Sequence, residues 1–228
     1  MASDDFNNQR CRKRASLIAA AIAFAFSSNA AAAEETGAKS VRTLLEIRNS
    51  DVVRQHWELS CGAAAIATLL TYQLGHPTSE ADVALDLLRR TNPVMVRVRL
   101  GFSLLDLKRY AARHDFDAAG YAKLSLGDLA AMAPAIVPIR SNGFDHFVVV
   151  RGIRDDRVVF ADPAFGNRTL PAEDFEDIWA NRIAFIVYAP GRRDAPNRMG
   201  TPDELMMVPS PRALRTIEDS MRVEGEGF

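Results

Sequence analysis

Gln55-His56-Trp57-Glu58-Leu59-Ser60-Cys61-Gly62-Ala63-Ala64-Ala65 is the stretch from which the rest of the chain can be read. It runs into alanine- and leucine-dense sequence that stops at Gly75-His76-Pro77, which predicts a helix over residues 59–74 beginning near Ser60 or Cys61. A cysteine in the first helical turn faces unpaired backbone N–H groups and a partial positive charge, both of which favour thiolate over thiol. With Gln55 six residues upstream, this is the front half of a cysteine-nucleophile site. A buried structural cysteine is the competing reading, since free cysteine packs as a small apolar residue.

Bulk composition narrows the function classes. The chain has 228 residues, 48% of them hydrophobic, and a formal net charge of -1, which suits one globular domain of moderate size. Near-zero charge gives no electrostatic case for nucleic acid or an anionic membrane surface. Gly37-Ala38-Lys39-Ser40 lacks the glycines of a phosphate-binding loop, so no ATP-binding motif is read.

Residues 1–33 read as a secretory signal peptide. Arg10, Arg12, Lys13 and Arg14 precede a short apolar run over residues 15–26, and Ala31-Ala32-Ala33 offers a cleavage site. The run falls short of the ~20 residues of a membrane span, although an uncleaved inner-membrane anchor is the alternative. Export predicts a periplasmic location. Cleavage would remove Cys11, the other of the two cysteines, and leave Cys61 as an unpaired thiol in an oxidising compartment.

Helices lead and strands follow. Further helices are expected over residues 79–90, over 103–114 with Ser103 and Asp106 in capping positions, and over 125–132 with Ser125 and Asp128 likewise. Residues 134–140 form an apolar strand whose Pro138 places it at a sheet edge. Residues 146–153 and 157–161 are joined by Arg154-Asp155-Asp156 as a hairpin. A short helix over 171–180 and a closing strand over 182–189 complete an α+β domain at residues 34–190. Residues 191–228 read as a mobile or loosely packed tail, with a short helix over 213–221.

The hairpin carries the second half of the site. His146 opens one strand, and Asp162-Pro163 ends the other. With a three-residue loop, His146 lies opposite Ala164, and Asp162 falls diagonally on the same face. A two-residue loop without a bulge puts His146 and Asp162 on opposite faces. An aspartate against one ring nitrogen would fix the tautomer and stabilise the imidazolium formed when Cys61 is deprotonated. The Gln55 side-chain N–H and the Cys61 backbone N–H would stabilise an oxyanion. For His56, His76 and His114, structural or solvated roles are the expectation, and Asp-Pro turn chemistry is the plainer reading of Asp162.

These residues carry a family resemblance. Gln55-x5-Cys61-Gly62-x-Ala64, His146-Phe147-Val148-Val149 and Asp162-Pro163 resemble the C39 peptidases, the papain-like bacteriocin-processing or double-glycine endopeptidases, over about residues 45–189. Residues 42–48 and 101–109 are similar to stand-alone exported C39-like proteins associated with functional-amyloid secretion. The resemblance implies a papain-like fold with Cys61 as nucleophile, His146 as general base and acid, Asp162 as orienter and Gln55 as oxyanion donor. It implies no cofactor and a polypeptide substrate, a secreted or amyloid-forming protein, with association with a secretion apparatus. Many relatives head ABC transporters, whose membrane and ATPase segments have no counterpart in this sequence. The expected function is therefore a cysteine endopeptidase acting on an exported polypeptide through a thioester. The alternative is an inactive peptidase-fold accessory that binds an unfolded or amyloidogenic secretion client. Acyl transfer to an amine would use the same residues.

Overall fold

A computed structural model describes residues 41–141 and 143–208. The signal segment over 1–33 and the helix expected over 213–221 lie outside them. The chain begins with α1 (Leu44–Asn49), opened by a capping box in which Thr43 Oγ1 accepts from the Glu46 N–H and the Glu46 carboxylate accepts from the Thr43 N–H. Helix α2 (Cys61–Thr68) continues into a π-helical turn (Leu69–Gln73), and Gly75, at φ 72°, ends it. Next come α3 (Glu80–Arg90), α4 (Pro93–Arg99), α5 (Leu104–Arg113), strand β1 (Asp117–Tyr121) and α6 (Leu126–Met132). Ser79, Ser103 and Ser125 cap their helices, and Asp106 and Asp128 close capping boxes. The expected helices are therefore present with their expected caps.

Strands dominate the second half: β2 (Ala135–Ser141), β3 (Phe144–Arg154), β4 (Arg157–Asp162), β5 (Gly166–Pro171) and, after α7 (Ala172–Ile178), β6 (Ala184–Tyr188). A short α8 (Asp203–Met206) follows. The strands form one antiparallel sheet in the order β1-β6-β2-β3-β4-β5. Helices cover both faces. On one, α2 with its π-helical turn, α3 and α5 bury Ile66, Leu70, Val83, Leu87 and Leu107 against Ile136, Val149, Ala161 and Phe185. On the other, Leu129, Phe175 and Trp179 pack on Val137, Val148, Val150 and Phe160. Each such fully buried side chain contributes roughly 1.5–3 kcal/mol relative to exposure.

Five elements escape a reading by periodicity: α1, α4, β1, β5 and α8. Helix α4 is the clearest case. Val94-Met95-Val96-Arg97-Val98 alternates with no helical period, yet Asn92 caps the backbone and Pro93 opens the first turn.

Two expectations are corrected. Strand β2 is not an edge, because it lies between β6 and β3. Its ladder to β6 is confined to the pair Ile136 and Phe185, however, so Pro138 faces no continuous partner on that side. The stretch after Pro190, expected to pack loosely, is seated on the domain as far as Val208. Met199, Leu205 and Val208 are buried, the last two against Ile47 and Val159. Their apolar residues are too few and too widely spaced to show a period, and the partners that bury them lie far upstream.

Candidate active site

Cys61 stands at the first position of α2, as expected, and is buried. Ser60 precedes it but does not cap the helix. Its hydroxyl instead shares its one proton between the Trp57 carbonyl, at 2.7 Å, and the Glu80 carboxylate. No side chain therefore occupies the positive end of α2 in the manner of an N-cap. Gly62 lets the helix approach β3 closely, since a Cβ there would lie 3.3 Å from a Phe147 ring carbon. That contact brings the start of α2 beside His146, the neighbour of Phe147.

The His146 ring is half-buried, and its Nε2 lies 2.8 Å from Asp162 Oδ1. Asp162 is fully buried, and its carboxylate also accepts from the backbone N–H groups of Ala164 (2.9 Å) and Phe165 (3.3 Å). Arg168 Nη1 donates to Oδ2 at 3.0 Å. Burial alone would raise the Asp162 pKa; the hydrogen bond and charge of His146, then Arg168 and the Ala164 N–H, outweigh it and hold the group below the usual carboxylate value. Burial likewise opposes charge on His146, but hydrogen bonding to Asp162 and to Cys61, with the electrostatic pull of both on the imidazolium, pushes its pKa up to about 9. Nε2 is committed to Asp162, which leaves Nδ1 for the thiol. The ring thus holds a proton at neutral pH beside the Asp162 carboxylate.

Because the folded pKa of His146 exceeds the ordinary 6.5, the stabilisation it contributes is complete below 6.5 and is lost as pH rises through about 9. A pH profile of any Cys61-dependent reaction should accordingly hold up to mildly alkaline pH and fall on a limb near 9. A limb near 6.5 would contradict this arrangement.

The register that brings His146 and Asp162 together does not arise from a three-residue loop. Asp155 and Asp156, both at positive φ (51° and 55°), form a two-residue turn, with Arg154 opposite Arg157. A one-residue bulge between Val150 and Gly152 then shifts the pairing so that Val149 faces Ala161. Extended by one pair, this register sets Val148 against Asp162. Asp162 is then diagonal to His146 on one face, which is the required geometry reached by a different device.

Gln55 joins the group through its backbone, whose N–H donates to the Pro163 carbonyl at 2.9 Å. Neighbouring Arg54 donates to the carbonyls of Pro163 (3.1 Å) and Ala164. The Gln55 loop is thereby tied to the turn that follows Asp162. Its side-chain Nε2 donates to the Trp57 carbonyl at 3.1 Å, while Oε1 is buried without a hydrogen-bond partner among the described residues. One amide hydrogen is therefore engaged within the loop, and one is left over for another acceptor.

Residues that the sequence did not point to support this set. Buried Glu80, on α3, accepts from the backbone N–H of His56 at 2.9 Å, from the His56 ring at 2.8 Å and from Ser60, pinning the loop between Gln55 and Cys61. Arg168 lies on the unread strand β5, paired across to Phe160 and diagonal to Asp162. An apolar cavity of about 340 Å³ borders Ser60, walled by Trp57, Leu59, Leu88, Val96 and Phe102. Of the other histidines, His56 binds Glu80, His76 packs edge-on against Phe116, and His114 caps α5. Among the described residues no cluster of metal-ligating side chains occurs, and no helix is long and apolar enough to cross a membrane.

The sequence profile of the peptidase C39 family matches residues 49–190, which span the whole of this constellation. The chain belongs to the peptidase C39 family. It is 37% identical over 167 residues to the probable functional amyloid protease FapD of Pseudomonas aeruginosa, covering 73% of this chain and 72% of that protein. The protein of the same name from Pseudomonas fluorescens is 33% identical over 188 residues, covering 82% and 79%. Among solved structures, a double glycine motif protease from an AMS/PCAT transporter, crystallised with the leader peptide, is 26% identical. Its TM-score is 0.51, over 60% of this chain and 90% of that one. The fold is thus the papain-like α+β fold of C39 peptidase domains, and this member of the family is a cysteine peptidase.

Proposed function

We propose that this C39 peptidase is a periplasmic endopeptidase that cuts an exported polypeptide, with Cys61 as nucleophile and His146, Asp162 and Gln55 as its partners. The observation that carries the reading is the His146–Asp162 contact of 2.8 Å beside a thiol at a helix N-terminus. The Cys61 thiolate attacks the peptide carbonyl carbon, and His146 gives its proton to the departing amine. Water, deprotonated by His146, then attacks the thioester, releasing the acid and restoring the thiolate beside the protonated ring. Asp162 holds the ring in one tautomer and balances its charge through both steps. The oxyanion of each tetrahedral intermediate is met by the Cys61 backbone N–H and the uncommitted Gln55 amide hydrogen.

The basic, apolar and small-residue succession of residues 1–33 supports export. The names of the two Pseudomonas relatives support an amyloid-forming client, and export of that client would place the enzyme beside its secretion apparatus. Purified protein should cut a candidate exported amyloid subunit, and acid quenching during turnover should leave an acyl adduct on Cys61 in the mass spectrum. Fragments produced equally fast by Cys61→Ala protein would overturn the proposal. Retained client binding with no cleavage by the wild type would favour the inactive accessory instead.

A further inference from the structure

Arg151 interrupts the apolar run Val148-Val149-Val150 in the middle of β3. It is also the extra residue of the bulge between Val150 and Gly152. Without that bulge the pairing at the turn would continue unchanged, with Asp162 opposite Val149 and His146 opposite Phe165. The two side chains would then point to opposite faces, because side-chain direction alternates with every residue. One inserted residue therefore decides whether His146 and Asp162 can meet.

The bulge is enclosed by a segment far downstream. The Arg151 side chain is 1% exposed. Its Nε donates to the Gly200 carbonyl at 3.1 Å and its Nη2 to the Met199 carbonyl at 2.5 Å. Nη1 donates to Asn167 Oδ1 at 3.1 Å and to the Ser50 carbonyl at 3.4 Å, and Asp51 Oδ2 lies 3.4 Å from Nη2. The Arg151 carbonyl, displaced from the ladder by the bulge, accepts from Asn197 Nδ2 at 2.7 Å. Asn197 Oδ1 in turn accepts from the N–H groups of Met199 and Gly200, at 3.0 and 2.9 Å.

Two further contacts lock this segment down. Thr201 lies so close to Gly152 that a Cβ there would meet its methyl at 3.0 Å. Upstream, Gln73 donates to the Pro196 carbonyl and accepts from the Arg198 N–H, both at 2.8 Å. Gln73 ends the same helical run that starts at Cys61. A buried guanidinium is tolerated only where its donors are met, so Arg151 inside and the 197–201 segment outside stand or fall together.

We propose that Arg151, enclosed by residues 197–201, is a positioning residue that fixes the bulged register aligning His146 with Asp162. The consequence for the reaction rests on the catalytic reading above, whereas the effect on the His146–Asp162 pair does not. It makes residues 197–201, beyond the stretch matched by the family profile, part of what aligns the site.

The test compares wild type, Asn197→Ala, Arg151→Met and, as a control on the opposite core, Leu129→Ala. Each is followed by thermal melting, by NMR titration of the His146 ring and by steady-state cleavage. Asn197 is exposed, so its variant retains the fold even if Arg151→Met does not. The expected result is that His146 titrates well below the wild-type value in Asn197→Ala and Arg151→Met. Their kcat should fall by roughly 10²-fold with KM little changed, the scale set by misplacing a reacting group. Leu129→Ala should lower the melting temperature without moving the titration. An unmoved titration in Asn197→Ala and in any folded Arg151→Met overturns the positioning role, and cleavage by the wild type then leaves the catalytic reading intact. A shifted titration in a protein whose wild type cuts no substrate upholds the positioning role and removes the catalytic one.

Discussion

Cys61→Ala and His146→Ala should each lower kcat for peptide cleavage by a factor on the order of 10⁶, and the double variant should lower it no further. In the proposed mechanism nucleophile and base act as one unit. Without the thiol there is nothing to acylate, and without the ring neither the thiolate nor the leaving amine is served. KM should change little, because two side chains supply only a small part of the area that a bound polypeptide covers. A residual rate of about 10³–10⁴ over water should persist if the Cys61 backbone N–H and Gln55 still meet the oxyanion. Progress curves of wild type, both single variants and the double variant on one substrate provide the check. Losses that multiply in the double variant would mean that the two groups act independently, against the geometry at His146.

Asp162 should give the largest effect on stability. Asp162→Ala would strand the half-buried Arg168 guanidinium, the Ala164 and Phe165 N–H groups and the His146 ring. Removing one partner of a buried pair costs about 3–5 kcal/mol, or roughly 10 °C in melting temperature for a domain of this size. Asp162→Asn keeps the shape but not the charge, so it should melt closer to wild type and still lose about 10⁴-fold in kcat, as an orienting carboxylate does when its ring takes the wrong tautomer. The sign with pH also follows. Asp162 is held below its usual pKa of 3.8, so its contribution is present above that value and lost as pH falls through the lower folded value. The gap in stability between wild type and Asp162→Asn should therefore narrow in acid. A gap independent of pH would show that the carboxylate is not ionised in the folded protein.

Much of this site could be read locally. The start of α2 was legible because alanine propensity, an abrupt Gly-His-Pro stop and the absence of competing turns all act within a few residues of Cys61. Ser103 and Ser125 marked helix starts for the same reason, each with its aspartate three residues on. The outcome was less complete for strands. β5 begins after a tight turn at Phe165-Gly166 and alternates too weakly to be seen, so Arg168 had no visible route to Asp162. Pro138 suggested an edge, although the single bridge to β6 accommodates it inside the sheet. Glu80 lies in the first turn of α3, where an acidic residue is already explained by the helix dipole. Its real partners are backbone N–H groups of a loop more than twenty residues earlier.

The sequence by itself determined that a lone thiol opens a helix, that a histidine and an aspartate sit at the open end of one hairpin, and that helices precede an antiparallel sheet. These are consequences of local propensity and of periods of two and 3.6 residues. Whether His146 and Asp162 share a face was decided only in three dimensions. The turn specified by Asp155-Asp156 would separate them, and the bulge at Arg151 reunites them. That bulge is stabilised by carbonyls of residues 199 and 200 and by Asn197, brought across by tertiary packing from more than forty residues downstream. Register is a property of paired strands and of what packs on them, so no window along the chain contains it.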